Sequence, residues 1–229
     1  MTGNLAESDY IRMMDYRVIL RRVGLAWIGF GLLDIGLMIY CLMQRQNYSS
    51  SFNLFAVILG LFLYRGSLGA TTLVTWFSAF MLMLFAGGLL LAPLLQPVGL
   101  LVSLIRLHPG QCLLLGVYYA TMVGLLIWTY RQMRSTPVLE ARRESGRCID
   151  RPQSAFLAGF LLVVLVGVLF NVLLKGSAGT KAVELARQKL GPDYHYAIQS
   201  IRVSGKAHSG VVAAYNAQEV KYVPVFWNE

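Results

Sequence analysis

The sequence predicts an α-helical polytopic membrane protein, with about five transmembrane helices followed by a small C-terminal α+β domain, a helix and then a three-stranded antiparallel sheet. Three observations carry this reading. Hydrophobic residues make up 56% of the chain and charged residues only 14%, against roughly 25% charged in a soluble domain, so water is not the main solvent. The 20 Lys and Arg, which bring the net charge to +9, stand at the ends of apolar runs and form no continuous face, which excludes a nucleic-acid partner and points to the lipid bilayer. Beyond Leu174 the long apolar runs stop, and shorter segments rich in β-branched and aromatic residues replace them.

Residues 1–22 mix Glu7, Asp9 and Asp15 with Arg12, Arg17, Arg21 and Arg22, unlike the short basic start of a cleavable signal peptide. No small-residue cleavage site follows the first apolar run, so that run is expected to stay in the membrane. A hydrocarbon core about 30 Å thick needs about 20 helical residues. Runs near that length are Val23–Met43, Tyr48–Ala70, Leu73–Leu95, Cys112–Tyr130 and Ala155–Leu174, which make 23–174 the transmembrane domain. The second is the short one: its uninterrupted apolar stretch, Phe52–Tyr64, covers only about 20 Å as a helix.

Charge decides its fate. Arg12, Arg17, Arg21 and Arg22 precede the first span, and Arg131, Arg134, Arg142, Arg143, Arg147 and Arg151 follow the fourth, whereas Arg45, Arg65 and Arg106 stand singly between spans. By the positive-inside rule, segment 1–22 and loop 131–154 are both cytoplasmic. An even number of crossings must separate them, so the second run is expected to cross, with Arg65 snorkelling and Tyr48–Ser51 completing the length. The fifth span then delivers 175–229 to the outside, the periplasm of a Gram-negative cell if the membrane is a bacterial inner membrane. Between the third and fourth spans, Pro93 and Pro97 bracket a break. The apolar octet Val98–Ile105 behind it is too short to cross and is expected in the outer interface as a short or re-entrant helix.

In the tail, Thr180 can cap a helix whose Ala182, Val183, Ala186 and Leu190 recur at helical spacing, with Gly191-Pro192 as its stop. Tyr194–Val203, Gly210–Tyr215 and Val220–Trp227 read as strands, joined by Ser204-Gly205-Lys206 and Asn216-Ala217-Gln218. Pro224 assigns the last strand to an edge, or turns its missing N–H away from a neighbour. A unit this small buries little surface and is expected to lean on the membrane portion, a second copy or a partner.

Few residues offer chemistry. Asp34 is the one acidic residue within a span, where a carboxylate serves as proton relay, cation site or ion-pair anchor, or else forms a hydrogen bond that fixes packing. Arg65 is its partner by charge but belongs at a different depth. Asn171 and Thr121 read as interhelical hydrogen-bonders. Gly116, Ala120 and Gly124 recur every fourth residue and leave a smooth strip for close helix packing, within the chain or between copies. Gly87-Gly88 with Pro93 marks a bend in the third span. Cys41 and Cys112 open toward the same outer side, which makes them the possible disulfide, the alternative being two unpaired thiols; Cys148 faces the cytoplasm.

Other motifs fail on inspection. Gly176-Ser-Ala-Gly179-Thr180-Lys181 has the wrong spacing and order for a phosphate loop and reads as a linker. His208-Ser209-Gly210 lacks the nucleophile elbow and reads as a hairpin loop. Asn47-Tyr48-Ser49 is a glycosylation acceptor only in a luminal loop of a eukaryote. His108, His195 and His208 have no ligand spacing, so neither metal nor cofactor is expected.

One span followed by a short helix and three strands resembles, in order of elements, membrane-anchored assembly factors of the cytochrome oxidase assembly and mitochondrial translocase-accessory type. No motif is shared, so the likeness is an analogy of arrangement and no residue is carried over. The function expected is non-catalytic: an inner-membrane interaction protein with a protein partner or a second copy of itself, such as an immunity protein against a membrane-acting toxin or an assembly or accessory factor for a membrane complex. The alternative is a channel or transporter subunit using Asp34. The lack of an internal repeat weighs against an inverted-repeat carrier, and the lack of a nucleophile–base pair weighs against an enzyme.

Overall fold

The computed structural model describes residues 3–44, 53–147, 151–204, 207–216 and 218–228, with the backbone alone at 3–15, 53, 94, 95, 173–175, 203 and 204. It is mostly helical, in the order α1 (Gly3–Met43), α2 (Asn53–Tyr64), α3 (Leu68–Leu95), α4 (Val98–Leu107), α5 (Pro109–Met133), α6 (Thr136–Glu144), α7 (Gln153–Lys175), α8 (Ser177–Leu190), then β1 (His195–Ser204), β2 (Ala207–Tyr215) and β3 (Val220–Asn228). Among the described residues four helical stretches are long and apolar enough to cross a membrane: Tyr16–Met43, Leu68–Pro93, Pro109–Met133 and Gln153–Val172.

The expected second span, Tyr48–Ala70, is not one helix. α2 is 12 residues long, and Arg65, Gly66 and Ser67 turn the chain directly into α3. Gly66 takes a φ of +79°, a left-handed conformation that glycine adopts without strain. Residues 48–52 of that span lie outside the described residues, as do Asn47, Cys148 and the 205–206 turn. Two boundaries also move. No helix breaker separates 1–22 from the first span, so α1 runs through both, and Pro93 lies inside α3, leaving the break at Gln96-Pro97 alone.

The chain forms two compact units, Met1–Leu82 with Gly124–Phe156, and Met83–Val123 with Leu157–Glu229. In the first, α1 buries the stripe Leu20, Val23, Gly24, Trp27, Gly31 and Asp34, spaced three, four and seven residues apart, and α2 buries Ala56, Leu59, Gly60 and Leu63. The two stripes meet backbone to backbone: a Cβ added to Gly24 would stand 2.6 Å from the Gly60 carbonyl oxygen, and one on Gly60 2.8 Å from that of Gly24. α6 packs on α1, with Pro137 in its first turn.

In the second unit, Gly87 receives Val163 and Gly167 receives Leu91, so α3 and α7 run side by side in the same direction. α8 covers one face of the sheet, whose strands pair antiparallel in the order β1-β2-β3. Ala182 and Ala186 pack on Val212, Ala214, Val223, Val225 and Trp227. α4 sits on the other face through Leu100, against Ala197, Ala213 and Tyr215. The order helix, strand, strand, strand is as expected, and Pro224 lies on an edge strand. Two details differ. α8 begins at Ser177 behind a Gly176 cap, so Gly176–Lys181 is helix start and not linker, and the Thr180 hydroxyl bonds back to the Gly176 carbonyl instead of capping. β2 begins at Ala207, so His208-Ser209-Gly210 is strand and not loop.

Candidate functional site

In the first unit the side chains around Trp27 form a polar seam inside an apolar bundle. Trp27 is fully buried, and its indole Nε1–H donates to the Thr129 hydroxyl of α5 at 2.9 Å. Its ring meets Phe77 of α3 edge-on at 6.1 Å, and Phe77 in turn packs on Phe55 of α2 at 4.8 Å. One indole thereby ties three helices together, because a buried N–H needs an acceptor and the ring supplies area. The sequence reading passed over Trp27, because a Trp one turn inside the end of a span reads as an aromatic-belt residue.

α3 also buries Thr71, Thr75 and Ser78. Thr71 Oγ1 donates to Leu68 O at 2.7 Å and Thr75 Oγ1 to Thr71 O at 2.6 Å, so both hydroxyls are satisfied within their own helix. Asp34 is 1% exposed and ends the packed stripe that starts at Leu20. Arg65 is not beside it. The turn that carries Arg65 lies against Arg17, which is 17 residues, or about 25 Å, of helix away from Asp34. Arg142 of α6 is buried too, a costly position for a guanidinium.

The Gly116, Ala120 and Gly124 strip is exposed, and a Cβ at either glycine would meet nothing within 4 Å. The close approach falls instead on Gly24 against Gly60 and the Tyr64 backbone, and Ala56, one turn before Gly60 on α2, is buried as well, so that the pair are a small residue, three others and a small residue. Thr121 donates to Val117 O of its own helix at 2.8 Å and does not bridge helices, and Asn171 is exposed on α7. Cys41 and Cys112 are free, half-buried thiols.

The second constellation is the sheet and what touches it. Asn216 Oδ1 accepts the backbone N–H groups of Gln218 and Glu219, each at 2.8 Å, which closes the β2–β3 connection as a side-chain turn. Ser103 of α4 donates to Asn216 O at 3.2 Å and pins that turn. Lys221 Nζ, at 2.5 Å, and the Tyr194 hydroxyl both donate to Glu219, and these bonds hold its carboxyl below the usual carboxylate range while raising the Lys221 ammonium. His208 stacks on Trp227 at 5.4 Å in the face under α8, while the adjacent Ser209 points to the opposite face, as neighbours on a strand must, so the two form no nucleophile–base pair. Among the described residues no three His, Cys, Asp or Glu side chains gather as metal ligands. Comparison with family models, curated proteins and solved structures returns no match for the chain.

Proposed function

We propose that this chain is a non-catalytic interaction protein of a bacterial inner membrane, an accessory or assembly factor for a membrane complex or an immunity protein against a membrane-acting toxin. The observation that carries this is the C-terminal sheet. With three strands in the order β1-β2-β3, it has one unpaired rim on each outer strand. Pro224 and Lys221 guard β3, whereas the 10-residue β1 carries no proline and offers its main chain for strand addition. Five crossings, with the N-terminus inside and the domain in the periplasm, go with this reading. In the first unit Arg17 of α1, the 65–67 turn and Arg147 come together: a Cβ added at Gly66 would stand 4.0 Å from Arg17 Cγ, and one at Gly69 3.1 Å from Arg147 Nη1. That collects basic residues at one end, as the positive-inside rule requires, and a 65–67 turn beside Arg17 supports counting the second apolar run as a crossing.

A photoreactive residue placed at Gln199, in the β1 bulge, is expected to crosslink one discrete protein in native membranes, while the same probe at exposed Gln188 of α8 does not. No adduct from β1, together with ion flux through proteoliposomes of the purified chain that Asp34→Asn abolishes, would replace this reading with the channel or transporter. The buried Asp34 is the observation favouring that second reading. Topology is checked separately: a reporter active only in the cytoplasm is expected to signal after Arg147 and be silent after Glu229.

A further inference from the structure

α4 is apolar on two opposite sides. Leu100, Ser103 and Leu104 face the sheet. Val98, Leu101, Val102 and Ile105 point the other way, all at or above 49% exposure. Two residues join α4 to the end of α3, and one joins it to the start of α5. A helix tethered so closely to the ends of two spanning helices lies at membrane level, where lipid is the solvent available to its uncovered side.

The sheet face on which α4 rests is only half covered. α4 occupies the end bearing Ala197, Ala213 and Tyr215. Beyond it the same face continues as cross-strand rows that α4 does not reach, Ser200–Val211–Pro224 and Arg202–Ser209–Phe226, with Tyr222 at the margin. Phe226 is 73% and Tyr222 57% exposed. Along the two rows, on the Phe226 side, lies a groove of about 360 Å³ that includes Arg202, Ser200 and Ser209 as donors and Val211, Pro224 and Phe226 as apolar lining. No acidic side chain stands on these rows, and Arg106 stands in the last turn of α4. The layer of headgroups on one side of a bilayer is about 5–8 Å deep, half the difference between the full and hydrocarbon thicknesses, and a helix with its side chains is about 10 Å across. The uncovered rows share the face that rests on α4, so with the apolar side of α4 in lipid they are turned toward the headgroup layer.

We propose that this open half of the sheet is a bilayer-docking surface: Phe226 and Tyr222 enter the headgroup layer as aromatic anchors, and Arg202, with Ser200 and Ser209, receives a phospholipid phosphodiester. The chemistry matches, since a guanidinium pairs with phosphate in a bidentate fork and aromatic rings favour the interface. The inference goes beyond the interaction reading and is independent of it, because it would hold equally for a channel. It leaves the β1 rim to a protein partner.

The test uses the full-length chain with Cys41, Cys112 and Cys148 replaced by Ser, reconstituted in vesicles of phosphatidylethanolamine and phosphatidylglycerol. An environment-sensitive fluorophore is attached at Phe226→Cys or, as reference, at Gln188→Cys on the exposed side of α8. At 226 the expected result is blue-shifted emission, at least about twofold stronger quenching by headgroup-nitroxide lipid than at 188, and protection from iodide, all unchanged when the protein-to-lipid ratio is lowered tenfold. Arg202→Glu, an exposed change that leaves the core intact, is expected to weaken the lipid quenching at 226. Iodide quenching at 226 equal to that at 188 overturns the proposal. So does protection that disappears on dilution, which identifies a second copy as the occupant, and so does protection without nitroxide quenching, which identifies something other than lipid.

Discussion

The α1–α2 pair and the C-terminal domain are held together by opposite means. Between 11% and 22% of positions in the most apolar windows of the four long helices are buried, and Leu32, Leu33, Leu113 and Leu114 point outward. Where the solvent is lipid, no hydrophobic force draws helices together, and contact goes to residues that let backbones touch. The domain does the reverse. Val212, Val225 and Trp227 turn inward while Lys189, Arg187 and Glu184 stay out, because water rewards burial of apolar area. In the one, glycines make the closest backbone approach; in the other, apolar side chains of the sheet fill the space beneath the helix.

Gly24→Val is the sharpest way to break this comparison. The new side chain would press on the Gly60 carbonyl and the Tyr64 backbone, neither of which can rotate away, and the expected loss is about 3 kcal/mol, the upper end for overpacking. Unfolding in detergent micelles measures it. Gly116→Val, into open space, is expected to change the same midpoint by no more than about 0.5 kcal/mol. If both variants unfold alike, small residues do not govern the bundle.

Val212→Ala probes the other side. Val212 is fully buried between α8 and the sheet, and its truncation is expected to cost about 1.5–3 kcal/mol, most of what so small a domain has to spare. Limited proteolysis of the intact chain in micelles should then cut within 177–228 while the helices stay protected. Equal resistance to protease would show that the membrane portion, not the domain core, sets its stability.

Trp27→Phe removes the bond to Thr129 and one of the two fused indole rings, with an expected loss of about 1 kcal/mol for the bond and more for the space left behind. Since Thr129→Val removes the same bond from the other end, the double variant is expected to lose little more than Trp27→Phe alone. Full additivity in that cycle would dismiss the bond as a tie between α1 and α5.

The smallest effect is one of pH. Glu219 has its carboxyl held low by bonds from Lys221 and Tyr194, so protonation opposes the folded turn. Its contribution is complete above the unfolded value of about 4.3 and fades as pH falls through the lower folded value. In NMR of the full chain the Tyr194 ring resonances are expected to titrate with a midpoint below about 4.3, and the Glu219→Gln variant to show no such step. A midpoint at or above that value would mean the bonds do not favour the carboxylate.

The sequence by itself determined what each segment is made for. Apolar length set five runs as candidates for crossing, of which four are single helices long enough to cross among the described residues, and β-branched runs with turn residues between them set the strand order of the tail, because these signals are local and read along one chain. It also marked Asp34, through the cost of a carboxylate in lipid. It could not choose the partners. The strip at Gly116, Ala120 and Gly124 and the pair Ala56 and Gly60 look alike in one dimension, and only the folded chain shows that a neighbour reaches the second and not the first. Trp27 finding Thr129, 102 positions away, and α4 slipping beneath the sheet to meet Tyr215 were decided the same way. A small residue or a polar atom states what it permits, while which surface arrives to use it depends on how distant segments pack.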